Sequence, residues 1–493
     1  MRLTDRRRQQ ALPAGAGWSC CRRFDTLRGD PISTDATSIR RSSRLKSNHR
    51  YFGRQTFEAL RRFSTLRVMT LQTCIYCNCH GPFSDEHLFP AGLGGDDSTF
   101  LLRELVCKVC NELRFSKMEA SFMRASPHAL ARVFMQEHGR RRGSKVSQPR
   151  LDTRMTTVLF DDGTIAEAEL QPRGGTSVLS QFVLHANGNV GFTGEEKGKP
   201  LAFIESVKSV LAAEQASVIR KVPIADGFEY SIDELSWDGS RYVVVEKRTD
   251  KKPPKTGIWL EPLNGNKGSD GHPVPRFFRK STGQLVLRAE PENDICSLLG
   301  QVRWAAIGAK LPDEQNYRDV KNPVIQASLT VNIDHYQRTY AKIAMNFLIY
   351  FFGEHYVRHF SFNRIKNGIV KGSPPVRIGQ FDHDTFDIVP SDRHVISICS
   401  SKSRAGRYAI IGLIRLYGGK TTTVLLSDNA PKPITTDPVF MLVHYKSHRI
   451  ELMGVTQFAE QYKRTDFPQE FEDECAKAYI RRFWPDVLPQ KRH

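Results

Sequence analysis

The chain has 493 residues, a formal net charge of +19 and a sequence pI of about 9.5. No stretch reaches the ~18 apolar residues of a membrane-spanning helix, and no hydrophobic run marks a secretory leader, so membrane and secreted classes are excluded and a soluble, cytoplasmic protein is expected. A strongly basic balance suits a nucleic-acid partner, because it attracts the phosphate backbone without reading sequence.

The charge is uneven. Residues 1–68 carry 16 Lys plus Arg against 5 Asp plus Glu, in runs such as Arg6-Arg7-Arg8 and Cys20-Cys21-Arg22-Arg23. This polar segment has no periodic apolar pattern and reads as a disordered basic leader, or as sequence upstream of a start at Met69.

The most informative stretch follows. Cys74-Ile-Tyr-Cys77 and Cys107-Lys-Val-Cys110 are two Cys-x-x-Cys turns, each able to aim two thiolates at one point. Together they make a four-cysteine zinc site. The remaining cysteines are scattered and there is no secretory leader, so disulfides are disfavoured. Cys79 and His80 lie close enough to compete, but the symmetric cysteine set is preferred. A zinc ion held by four thiolates has no open position, so any chemistry belongs to the loop between the knuckles. Glu86-His87 sets a hard oxygen ligand beside an imidazole, a pairing that suits a divalent ion with a neighbouring base for water. Asn111, directly after Cys110, is placed to orient that histidine. Leu113, Phe115, Met118, Phe122 and Met123 have helix-like spacing, which puts Glu119 on a helix as a second ligand; Asp85 is its rival.

These residues resemble the zinc-framed HNH endonucleases. Cys74, Cys77, Glu86, His87, Leu88, Phe89, Pro90, Leu93, Gly94, Gly95, Cys107, Cys110 and Asn111 match that family's pattern. Phe89 departs from its aliphatic pair, and Glu119 stands where the family often has His or Asn. The resemblance covers about residues 72–125. It implies a ββα-metal fold in which His87 is the general base, Asn111 positions it, and Glu86 is a ligand of Mg2+ or another divalent ion, with Glu119 or Asp85 as the candidate for the last ligand. It also implies hydrolysis of phosphodiester bonds, with DNA as the partner. Lys108 and Arg114 beside the second knuckle are candidate nucleic-acid contacts. The alternative is a zinc-stapled nucleic-acid-binding module without catalysis.

Residues 69–136 are therefore expected to form the nuclease domain. Residues 137–150, with Arg140-Arg141-Arg142, read as a linker or a basic strap on the nucleic-acid backbone. Residues 151–490 read as a recognition or interaction region, with one or two subdomains. There, Ala202 to Val218 reads as helix, and Tyr242–Glu246 after Trp237-Asp238-Gly239 reads as a hairpin strand. Asp334 to Phe352 is the clearest helix, with an apolar stripe at Tyr340, Ala344, Phe347, Leu348 and Phe351 whose expected role is core. Strand-like runs follow at 394–399, 409–416, 421–426 and 439–443. The whole reads as α+β, a small zinc-stapled ββα-metal domain followed by a larger α+β region with an antiparallel sheet. Asp382-His383-Asp384, with His394 nearby, reads as solvated polar sequence rather than a second metal site.

Overall fold

The computed structural model describes residues 72–95, 98–139, 141–142, 145–160, 165–171, 173, 175–195, 200–224, 227–263, 274–308, 324–380, 386–402, 406–434 and 439–462. The basic leader, Arg140, the Asp382-His383-Asp384 cluster and the end of the expected C-terminal region lie outside them. All described residues except Val324 belong to one compact unit.

The chain enters through the first cysteine turn. The Cys74 N–H donates to the Cys79 carbonyl at 2.8 Å and the Asn78 N–H to the Cys74 carbonyl at 2.9 Å. Asn78 closes the turn at φ 58°, a left-handed conformation that asparagine tolerates better than most residues. Strand β1 (Phe83–His87) then pairs antiparallel with β2 (Leu101–Cys107), Phe83 opposite Cys107 and His87 opposite Leu101. The register slips between Ser84 and Glu86, where β2 carries Glu104 at φ 57°. After Cys107 a π-helical turn, Val109–Phe115, runs into α1 (Ser116–Arg124). Helix α2 (Pro127–Met135) follows, with the Ser126 hydroxyl accepting from the Ala129 N–H at its start.

Strand, strand, helix is the order expected here, with one departure. Phe115, Met118 and Phe122 are buried, but Leu113 is exposed. The wide π turn takes more residues than 3.6 per revolution and rotates Leu113 out of the apolar phase.

The segment expected as a linker contains a short hairpin, β3 (Arg141–Arg142) with β4 (Lys145–Val146). Strands β5 (Thr153–Leu159), β6 (Ile165–Leu170) and β7 (Thr176–Val178) pair antiparallel and, with the later β16 (Val324–Leu329) beside β5, form a four-stranded sheet in the order β16-β5-β6-β7. Next come β8 (Gln181–Leu184), β9 (Val190–Thr193), α3 (Pro200–Leu211), β10 (Gln215–Ile224), β11 (Gly227–Trp237), β12 (Tyr242–Asp250), β13 (Ile258–Pro262), β14 (Arg276–Arg279), β15 (Leu285–Ala289) and α4 (Ile295–Gly308). These strands form one eight-stranded sheet in the order β12-β11-β10-β13-β15-β14-β8-β9. It is antiparallel except at the β10–β13 and β13–β15 pairs. Phe203, Val207, Leu299 and Val302 of α3 and α4 cover it. The helix expected over Ala202 to Val218 stops at Leu211. From Gln215 the chain is strand, because cross-strand pairing with β11 overrides the local helix preference of Ala212-Ala213-Glu214-Gln215.

Strand β16 (Val324–Leu329) precedes α5 (Ile333–Phe352), which begins where the Asn332 side chain accepts from the His335 N–H. After α6 (Glu354–Arg358) and α7 (Asn363–Lys371) come β17 (Ile378–Gln380), β18 (Arg393–Lys402), β19 (Tyr408–Arg415), β20 (Thr422–Ala430), β21 (Val439–His444), β22 (Arg449–Gly454) and α8 (Val455–Gln461). The strands make a six-stranded antiparallel sheet in the order β17-β20-β19-β18-β21-β22. Helix α5 lies directly on it. A Cβ added at Gly412 would stand 2.6 Å from the Ala344 Cβ, so glycine is required at that crossing. The α+β reading, the long helix and the four late strands hold.

The cysteine-framed unit and this late sheet share one core. Cys74, Val106, Phe115 and Phe122 belong to the same buried cluster as Tyr340, Phe347, Ile396 and Met441. Burying each large apolar side chain is worth roughly 1.5–3 kcal/mol, so the first strands and α5 stabilise one another.

Candidate metal centre and active site

Cys74, Cys77, Cys107 and Cys110 converge, with all four sulfurs within 4.8 Å of one another. The Cys77 and Cys107 sulfurs are 3.6 Å apart, close to the ~3.8 Å edge of a tetrahedron with ~2.3 Å zinc–sulfur arms. Three of the four are buried. Cys79 stands outside the quartet, exposed, with its sulfur 3.7 Å from the Cys77 carbonyl. Packed thiols resist ionising together. A hydrogen bond from Cys110 holds Cys74 down at about 4, the same bond pushes Cys110 up, and burial pushes Cys77 up to about 12. A divalent cation at the centre removes that conflict, since it is held by thiolates. The donor set, spacing and burial fit a metal such as zinc.

Arg114 is exposed, with its guanidinium 3.9 Å from the Cys110 sulfur, and Lys108 is exposed beside it. Arg358 of α6 clasps the first knuckle from the other side, donating to the Thr73 carbonyl at 2.8 Å and hydroxyl at 3.1 Å.

The quartet fixes the end of the β1–β2 hairpin where the chain enters and leaves, with Phe83 opposite Cys107, and His87 ends β1 at the other end, opposite Leu101. Ser84, Asp85, Glu86, His87, Asn111, Glu112 and Glu119 line one wall of a cleft of about 1500 Å³. Asp85 and Glu112 are exposed there and His87 is half-buried. Arg150, Thr156, Glu167, Lys280 and Arg288, from the segment after residue 147, line another. Sequence reasoning did not connect that segment with the site.

Asn111 was expected to hold the ring of His87. Its amide nitrogen donates to the Ser84 hydroxyl at 3.1 Å and the Asp85 carbonyl at 2.8 Å. It therefore pins the irregular stretch of β1 where the register slips, and sets His87 through the backbone.

Glu86 and Glu119, expected as ligands of a divalent ion, are brought together around something else. The ammonium of Lys342, from the middle of α5, forms ion pairs with both carboxylates. The Lys342 side chain is 1% exposed, that of Glu86 2% and that of Glu119 18%. Lys342 also sits 5.3 Å from the centre of the Phe115 ring. One turn further along α5, Asn346 donates to Glu86 Oε1 at 3.0 Å and to the His87 carbonyl at 2.9 Å, and accepts from the Tyr76 hydroxyl. Burial raises the Glu86 carboxyl to about 7 despite Lys342. Burial alone would lower Lys342, but Glu119 and Glu86 outweigh it and the net shift is upward. The signal for this network was in the sequence: a lysine and an asparagine four apart inside the run Ala341-Lys342-Ile343-Ala344-Met345-Asn346-Phe347, on a helix read as core.

Arg141 and Arg142 lie in β3. Among the described residues no helix is long and apolar enough to cross a membrane. No family model, curated protein or solved structure matches the chain.

Proposed function

We propose that the chain is an endonuclease that hydrolyses phosphodiester bonds in DNA at the cleft beside β1. The observation that carries this reading is the position of His87, at the end of a strand braced by the cysteine quartet and pinned by Asn111, on the wall of a cleft large enough for a nucleotide strand. In this reading His87 takes a proton from a water molecule, and the resulting hydroxide attacks phosphorus. The P–O bond to the leaving oxygen breaks, and that oxygen takes a proton from solvent. Zinc on four thiolates has no open position and serves as scaffold. Lys108 and Arg114 contact the phosphate backbone outside the cleft, joined by the Arg141-Arg142 hairpin. The sheets after residue 151 select the target.

The resemblance implies a divalent ion such as Mg2+ on Glu86, and Glu119 is the candidate for its second ligand. Their carboxylates do not fit that role as placed, because both are held by Lys342. The same observation favours a second reading, a zinc-stapled nucleic-acid-binding module that does not cleave. Nicking of supercoiled plasmid by the full chain, with Mg2+, Mn2+ or Ni2+ and in chelator, separates the two. Nicking by wild type that His87→Ala lacks supports the endonuclease. Equal rates in the two proteins, or none in either, leave the binding module as the better account.

A further inference from the structure

The two acids that a nuclease of this pattern would present to a metal ion are already neutralised from within the chain. Lys342 reaches them from α5, and no bound ion is needed to explain why two carboxylates are held together in a buried place. The pocket around the ammonium is completed by the Phe115 ring on one side and by Asn346 and Tyr76 on the other. No side chain of this group has a buried polar atom left without a partner among the described residues. A divalent ion entering from the cleft, whose wall includes Glu86 and Glu119, would have to displace an ammonium that is 1% exposed and already paired with both carboxylates. Hard divalent ions also keep much of their hydration, and the ammonium already fills the space between the two carboxylates.

We infer that Lys342 is a built-in cation at this seat: it replaces a divalent metal ion between Glu86 and Glu119, and this carboxylate pair takes no metal in the native protein. The inference starts from the endonuclease reading, which is what makes an ion at this place the expectation, but it concerns occupancy of the seat and not cleavage. Lys342 does not reach the cleft, so it is a positioning residue. It fixes Glu86, and with it the backbone of the adjacent His87, by the charge that an ion would otherwise supply.

The test is Mn2+ binding to the zinc-loaded full chain, read by electron paramagnetic resonance. Wild type, Glu86→Gln and Glu119→Gln are expected to bind Mn2+ equally, whatever they bind elsewhere on the surface. Lys342→Ala empties the seat and leaves its two acids. It is expected to raise Mn2+ affinity by about tenfold or more, because a like charge no longer repels the ion at short range. The double variant Lys342→Ala/Glu86→Gln should lose that gain. Bound Mn2+ in wild type that Glu86→Gln or Glu119→Gln removes would overturn the inference. So would a Lys342→Ala protein with wild-type zinc content and circular dichroism that gains no Mn2+. If Lys342→Ala does not fold, the comparison of wild type with Glu119→Gln decides alone, since Glu119 is at the open edge of the group. Plasmid nicking scored on the same samples keeps the two proposals apart: a chain that nicks nothing yet shows this Mn2+ pattern fails only as an endonuclease.

Discussion

The Asn346 amide donates to the carbonyl oxygen of His87 at 2.9 Å, across 259 positions of sequence. One helix of the late region thus holds the backbone of the residue proposed as base. The same amide nitrogen reaches Glu86 Oε1, and the Asn346 oxygen accepts from Tyr76 inside the first cysteine turn. A single side chain ties the metal frame, the β1 strand and α5 together.

Asn346→Ala should therefore do two things at once. It leaves the Glu86 and Tyr76 polar groups short of partners in a buried place, a loss of about 1–3 kcal/mol. It also frees the His87 carbonyl. We expect a lower urea midpoint and slower plasmid nicking, with one zinc still bound per chain. Wild-type stability in this variant would show that the network is not a structural tie.

How much of this was legible follows from sequence separation. The cysteine quartet needed only two local turns and their spacing, and the strand-strand-helix order lies within about fifty residues of it. The apolar stripe of α5 was legible because helical periodicity is local as well. What the sequence did not reveal was which polar residues on that stripe had partners. Lys342 and Asn346 meet Glu86 from more than 250 positions away, and no local rule pairs them. The end of α3 was misplaced for the opposite reason: residues 212–215 favour helix, and only pairing with β11 makes the following segment a strand.

Removal of the metal should reach beyond the knuckles. Cys107→Ser takes away one of the four sulfurs, and structural zinc contributes folding energy directly. Because Cys74, Cys107 and Cys110 share a buried cluster with Tyr340, Ile396 and Met441, loss of zinc should also loosen α5 and the late sheet. Metal analysis should find one zinc in wild type and less in the variant. Hydrogen exchange should show lost protection in residues 340–349 as well as 101–124. Protection lost only around the knuckles would mean that the shared core holds without the metal.

The pH dependence of stability should be set partly by His394. Its Nε2–H donates to the Leu93 carbonyl at 3.0 Å and its Nδ1 accepts from the Tyr417 N–H at 3.1 Å, so the fold requires the neutral ring. Burial lowers it from 6.5 to about 3. Above pH 6.5 neither folded nor unfolded chain protonates this ring, and its contribution is complete. Between 6.5 and about 3 only the unfolded chain takes the proton, so stability falls as pH falls. At pH 5 the loss is about 2 kcal/mol, from 1.36 kcal/mol per pH unit. His128, lowered to about 4 by burial, acts in the same direction. We expect the urea midpoint to drop from pH 7 to pH 5, and His394→Gln to flatten roughly half of that slope. An unchanged slope in His394→Gln would place the acid sensitivity elsewhere.

Removing a positioned general base typically costs about 10²–10⁴ in rate. His87→Ala should lower nicking by that range while leaving zinc content and DNA affinity at wild-type values, because the ring is at the cleft wall and the cysteine frame does not depend on it. Asn111→Ala should slow nicking less. It leaves the base in place and releases only the Asp85 carbonyl and Ser84 hydroxyl, so β1 loosens where its pairing with β2 already slips. The ratio between the two variants is the informative quantity. A loss in Asn111→Ala as large as in His87→Ala would mean that the asparagine acts on the reaction itself. A His87→Ala chain that nicks at the wild-type rate, in a preparation free of other nucleases, would remove His87 from the chemistry.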